Sequence, residues 1–156
     1  MIFIYGLNAK QHKTLIDYSY GICNSLSFIV TKFDGDEDYY GDFCLHNKNT
    51  LKLIEKLNLK VVKTLDSNYQ YGSQENNYQS VIYFVTLNDR LKKFLYRHKF
   101  EKWRFPKLPE DLIFYQNNNV WLETVTHEKI IWIHNESKED IDFLNKHKIK
   151  FRYENY

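Results

Sequence analysis

Three apolar stretches stand almost end to end between Asp111 and His134, and they leave this part of the chain little choice of fold. The run 111-DLIFY-115 meets the polar break 116-QNNN-119, and 120-VWLETVTH-127 follows it. Two such runs around a short Asn-rich break predict a hairpin. The run 129-KIIWIH-134 predicts a third strand directly after it. Links this short predict antiparallel pairing. Trp121 and Trp132 are expected to supply core area from neighbouring strands. Glu123 is expected on the solvent face.

Further strands are expected at 2–5, 26–33, 59–65, 81–86 and 149–153. The run 26-LSFIVTKF-33 alternates apolar with polar residues, and 81-VIYFVT-86 is the best central-strand candidate. Helices are expected at 50–58, 89–99 and 138–146. In the first, Leu51, Ile54 and Leu57 share one face. Asn88 and Asp89 begin the second with a polar cap, and Ser137 with Asp140 resembles a capping box before the third. The piece 9–24 is ambiguous. The acidic 34-DGDEDYYGD-42 reads as a loop, as does 66-DSNYQYGSQENNYQS-80, which has no aliphatic residue. Alanine occurs once, at Ala9, beside 13 Tyr, 11 Phe and 3 Trp. Cores of large and β-branched residues suit strands better than close helix packing. Pro106 and Pro109 mark a connector too short for a domain boundary. These readings predict a single α+β domain over residues 1–156, a mostly antiparallel sheet with two or three helices packed on it. The stretches 53-LIEKLNLKVV-62 and 143-FLNKHKIKFR-152 echo one another across a helix-to-strand turn.

The formal net charge of +2 favours no class of partner by itself. Cys23 and Cys44 match no metal spacing and no disulfide framework, so they read as free thiols of a reducing, cytoplasmic protein. The apolar run at Ile2–Tyr5 is too short for a signal-peptide core, and no run approaches a membrane span.

Motifs of common enzyme classes fail. A zinc-protease helix needs His-Glu-x-x-His, but Ile131 stands four residues after His127. Counting a calcium hand from Asp34 puts Tyr39 and Leu45 where Gly and Glu belong. The five glycines never cluster into a phosphate loop. No cofactor or metal is implied. An enzyme of unrecognised class would draw on His127 and Glu128 for proton transfer, in a cleft. The segment 90-RLKKFLYRHKFEKWRFPK-107 carries eight Lys/Arg and one acid among five aromatics. Arg90, Lys92, Lys93, Arg97, Lys99, Lys102 and Arg104 would therefore be the contacts of a nucleic-acid-binding module. The same charges equally suit the solvated side of a helix.

The stretch 104-RFPKLPEDLIFYQNNNVWLETVTHEKIIWI-133 resembles segments of small bacterial proteins of the toxin-immunity type. The likeness rests on Pro-Glu-Asp-Leu, Phe-Tyr, Trp and Thr-x-His-Glu. It implies a cytoplasmic, non-enzymatic, single-domain protein that neutralises a cognate toxin by occluding its active site. It carries no catalytic residues across. The acidic stretch offers the matching surface: Asp34, Asp36, Glu37 and Asp38 supply negative potential, and Tyr39 and Tyr40 supply anchors.

Overall fold

The computed structural model describes residues 1–33, 37–69, 78–104 and 107–154, with side chains described at 1–30, 45–65, 80–104 and 107–154. The elements follow as β1 (Ile2–Tyr5), α1 (Ala9–Ile22), β2 (Ser25–Phe33), α2 (Glu37–Leu57), β3 (Val61–Tyr69) and β4 (Tyr78–Thr86). Then come α3 (Asp89–Arg97), a 3-10 turn (Phe100–Lys102), β5 (Glu110–Gln116), β6 (Asn119–Val125), β7 (Ile130–Ile133), α4 (Lys138–Lys146) and β8 (Lys150–Tyr153). The strands form one antiparallel sheet in the order β3-β4-β2-β5-β6-β7-β1-β8. The fold is α+β, with four α-helices among the described residues where the sequence suggested two or three.

The hairpin forms as its sequence demands. Gln116 pairs with Asn119, and Asn117 and Asn118 take φ of 50° and 66°. A two-residue turn with both residues left-handed matches the twist of the strands it joins, and Asn tolerates that conformation. Both helix starts are capped by the residues that signal them. The Asn88 side chain accepts from the Leu91 N–H at 2.8 Å, and Ser137 and Asp140 make a reciprocal capping box.

Several boundaries move. The helix expected at 50–58 is the end of α2, which begins at Glu37 inside the expected acidic loop. Its buried stripe is His46, Thr50, Leu53 and Leu57, while Leu51 is exposed. The stretch expected as a loop at 66–80 is instead strand at both ends, where β3 runs on to Tyr69 and β4 starts at Tyr78. The strand expected at 120–127 stops at Val125, and a turn follows. The ambiguous 9–24 is helical over α1, capped by Asn8 with Gln11.

Reading outward from the central β5–β6 hairpin, both wings repeat one connection pattern. In one wing β2-α2-β3 brackets β4, which leads into α3; in the other β7-α4-β8 brackets β1, which leads into α1. The sequence echo sits at the matching corners. Asn58 and Lys148 are both left-handed, with φ of 51° and 53°. The next amides reach back to the helix alike, Leu59 N–H to Ile54 O and Ile149 N–H to Leu144 O, each at 2.9 Å. This double closure of a helix C-terminus satisfies its orphan carbonyls and seats an apolar residue just beyond. Leu59 and Ile149 are both buried. The first wing is contiguous, whereas the second is divided between residues 2–22 and 130–153.

Register divides the sheet into two faces. One row crosses seven strands as Ile2, Ile133, Leu122, Phe114, Leu26, Val85 and Val61. Its first six members are wholly buried. The helices pack on this side. Tyr18 of α1 meets Trp121, and Tyr83 Oη donates to Asn47 of α2 at 2.7 Å. Trp121 reaches this face because the β5–β6 register slips beside it, setting it inward next to Leu122. Helices α1 and α3 lie together. Lys92 pairs with Asp17 at 2.7 Å, Tyr96 Oη donates to Asp17, and His12 Nε2 meets the Leu95 carbonyl at 2.9 Å.

Two buried histidines give the fold a pH dependence. His12 and His46 are 2% and 1% exposed, and each directs Nε2 at a carbonyl, of Leu95 and Leu108. Burial holds both imidazoles below their ordinary pKa, against the opposing pull of the carbonyls. Below the ordinary histidine value of about 6.5 the unfolded chain binds protons that the folded chain excludes. Stability is therefore full above that value and falls as pH drops through it. Urea midpoints taken from pH 8 to pH 6 should decline toward the acid end. A midpoint that stays level or rises would contradict the buried, neutral assignment.

Candidate partner-binding surface

The second face of the sheet carries no described helix. Its central row runs through all eight strands as Arg152, Phe3, Trp132, Glu123, Ile113, Ser27, Phe84 and Lys63. Phe3, Trp132, Ile113 and Phe84 are half-buried, in contrast to the sealed row on the opposite face. The rings form two groups. Phe3 stacks with Tyr5 at 5.9 Å and tilts against Trp132 at 5.2 Å, while Phe84 meets Tyr115 at 5.6 Å. A cation covers the outer ring of each group. Arg152 lies 4.8 Å from the Phe3 centroid, and Lys63 lies 5.8 Å from that of Phe84. Such placement lets the charged heads stay wet while their stems shield apolar surface. Between the groups, His134 Nε2 and Glu123 are 2.8 Å apart, and the Tyr115 hydroxyl shares a hydrogen bond of 3.0 Å with Ser27.

Trp132 is thus a correction. It was expected in the core with Trp121, but the register sets it beside Glu123 on the open face. The expectation for Glu123 agrees with its half-exposed position. Sequence patterning misses this surface because 130-IIWI-133 is apolar throughout and does not say which residue faces which way.

The acidic candidates are only partly visible. Asp34 and Asp36 lie outside the described residues. Glu37, Asp38, Tyr39 and Tyr40 belong to the first turn of α2 rather than to a loop, and their side chains lie outside the described set.

The basic candidates are spread over α3 and the turn after it. Arg90, Lys93 and Arg97 are exposed on one side of α3, opposite the buried Leu91 and Leu95. Lys92 is engaged with Asp17 and lies over the rings of Tyr20 and Tyr96 at 5.4 and 5.8 Å. Lys99, Lys102 and Arg104 are exposed around the 3-10 turn. Two of the described aromatics among them are withdrawn from any stacking surface. Trp103 is fully buried against Phe28 and Phe94, and Phe100 is buried against Phe114.

His127 and Glu128 are 60% and 51% exposed on the turn after β6, 3.5 Å from each other. Among the described residues no group of three or more His, Cys, Asp or Glu is placed to hold a metal ion. Cys23 is a buried free thiol whose pKa burial raises to about 12, which makes it a poor nucleophile. No described helix is long and apolar enough to cross a membrane. Comparison of the chain with protein-family models, curated proteins and solved structures finds no match.

Proposed function

We propose that this is a non-enzymatic binding protein whose open sheet face docks a partner protein, the partner being a toxin domain that it neutralises. One observation carries the reading: two groups of half-exposed aromatics stand on the open face, each with a cation over its outer ring. Protein interfaces concentrate Trp, Tyr, Phe and Arg at their centres within a polar rim. A rigid sheet presents those rings with little loss of freedom on binding. The toxin identity rests on the segment resemblance, and the acids at the start of α2 would extend the contact surface beyond the sheet.

The test is isothermal titration against the protein encoded beside this one. We expect one-to-one binding that abolishes the neighbour's toxicity and weakens at least tenfold in Trp132→Asp, with circular dichroism unchanged. Binding that ignores Trp132→Asp would move the contact elsewhere, and no binding would remove that neighbour as the partner. A nucleic-acid role instead requires affinity for RNA or DNA that falls linearly with log salt. The burial of Trp103 and Phe100 withdraws two of the rings on which such a role would stack bases.

A further inference from the structure

A cavity of about 220 Å³ opens at the end of the sheet where β1 leads toward α1. Its walls include Leu7, Phe100 and Ile131, and its polar lining includes His12 and Thr124. Lys99, Lys129 and Glu101 stand at its exposed margin. Apolar walls with a few convergent polar groups are the usual composition of a small-molecule site.

His12 gives the cavity its chemistry. The side chain is almost sealed, with its ring edge-on to Phe100 at a centroid distance of 4.7 Å. Its Nε2 faces the Leu95 carbonyl at 2.9 Å. A carbonyl can only accept, so Nε2 carries the hydrogen and a neutral ring leaves Nδ1 as a bare lone pair. Among the described residues Nδ1 has no protein partner, and no described side-chain nitrogen or oxygen is both sealed and unpaired. Nδ1 is therefore an unpaired acceptor that is not wholly sealed, on a side chain that lines the cavity. Thr124 supplies the complement. Its Oγ1 accepts from the Leu112 N–H at 2.8 Å, which leaves its own proton to donate. A single hydroxyl can donate to Nδ1 and accept from Thr124. At the margin, two cations against one carboxylate favour an anion.

We propose that this cavity binds a small hydroxy acid of the phenolic kind, with its hydroxyl on His12 and Thr124, its ring against Phe100 and its carboxylate at Lys99 and Lys129. Ile131 and Thr124 set the cavity on the helix-covered side of the sheet, and Tyr5 of the open-face ring group reaches only its edge. The site stands whether or not a protein docks on the open face.

The test is a titration of the ¹⁵N-labelled protein, read at the His12 ring nitrogens, with 4-hydroxybenzoate, benzoate and 4-hydroxybenzyl alcohol. We expect 4-hydroxybenzoate to saturate with a shift at Nδ1, and each of the other two to bind at least tenfold more weakly. Lys99→Ala should weaken 4-hydroxybenzoate at least threefold and leave the alcohol unchanged. His12→Phe, checked for folding by thermal melt, should erase the difference between 4-hydroxybenzoate and benzoate. No saturable shift at millimolar ligand would overturn the proposal. So would equal affinity for benzoate, or indifference to Lys99→Ala, a result that stands even if His12→Phe does not fold.

Discussion

Trp103→Ala should lower the unfolding free energy by about 3–5 kcal/mol, the usual cost of emptying a large aromatic site in a core. Trp103 is fully buried, lies 6.4 Å from Phe28 and edge-on to Phe94 at 5.7 Å, and donates from Nε1 to the His98 carbonyl at 3.3 Å. It joins the end of α3 to β2, so neighbouring side chains have little freedom to collapse into the space. A fall in melting temperature of roughly 10 °C is expected for a chain of this size. Trp132→Ala provides the contrast, at about 1 kcal/mol, because that ring is half-exposed. Urea unfolding of the two variants decides the matter. If they lose equal stability, the face bearing Trp132 is covered and cannot be the docking surface.

Asp140→Ala should cost about 3 kcal/mol, since it strands several buried donors at once. The carboxylate is 4% exposed. It accepts from Tyr18 Oη at 2.9 Å, Trp121 Nε1 at 3.3 Å, Ser137 N at 2.8 Å and Ser137 Oγ at 3.0 Å. One side chain therefore closes the cap of α4 and ties that helix to both α1 and β6. The same arrangement resists ionisation of Tyr18, whose pKa is raised by burial and then by Asp140. Ser137→Ala removes the cap alone and should cost about 1 kcal/mol. The Tyr18→Phe/Asp140→Ala double-mutant cycle should be clearly non-additive, because the two groups share a bond. Additive losses would mean that the Tyr18–Asp140 bond contributes nothing to stability.

Much of the antiparallel sheet is legible in the sequence because its strands carry local signals. The turn at Asn117–Asn118, the cap at Asn88 and the box at Ser137–Asp140 are each set by nearest neighbours. The long helix is less legible. Gly41 and the surrounding acids have the chemistry of a turn, and the buried stripe from His46 to Leu57 begins with polar residues that hide its period. The arms of β3 and β4 near Tyr69 and Tyr78 are missed for another reason. Their sequences, 66-DSNY-69 and 78-YQS-80, hold no aliphatic residue, so no apolar alternation marks a strand. The two surfaces that matter most depend on register and tertiary placement. Trp132 and Phe3 become one cluster only when β1 pairs with β7, and His12 becomes an acceptor in a cavity only when α1 packs on α3. Spacing along the chain encodes neither event.

The seat of β1 has a consequence for synthesis. Of all the strands, β1 leaves the ribosome first, yet its neighbours β7 and β8 leave last. Ile2 pairs with Ile133 and Tyr153, so the strand waits until β7 and β8 have been made. Meanwhile the wing from β2 to α3 holds all its own strands and can close early. Completion of the sheet is then a late insertion between two newly made strands, a pairing of high sequence separation that is slow to find. Until it happens, the apolar residues Ile2 and Ile4 depend on whatever shelters a nascent chain.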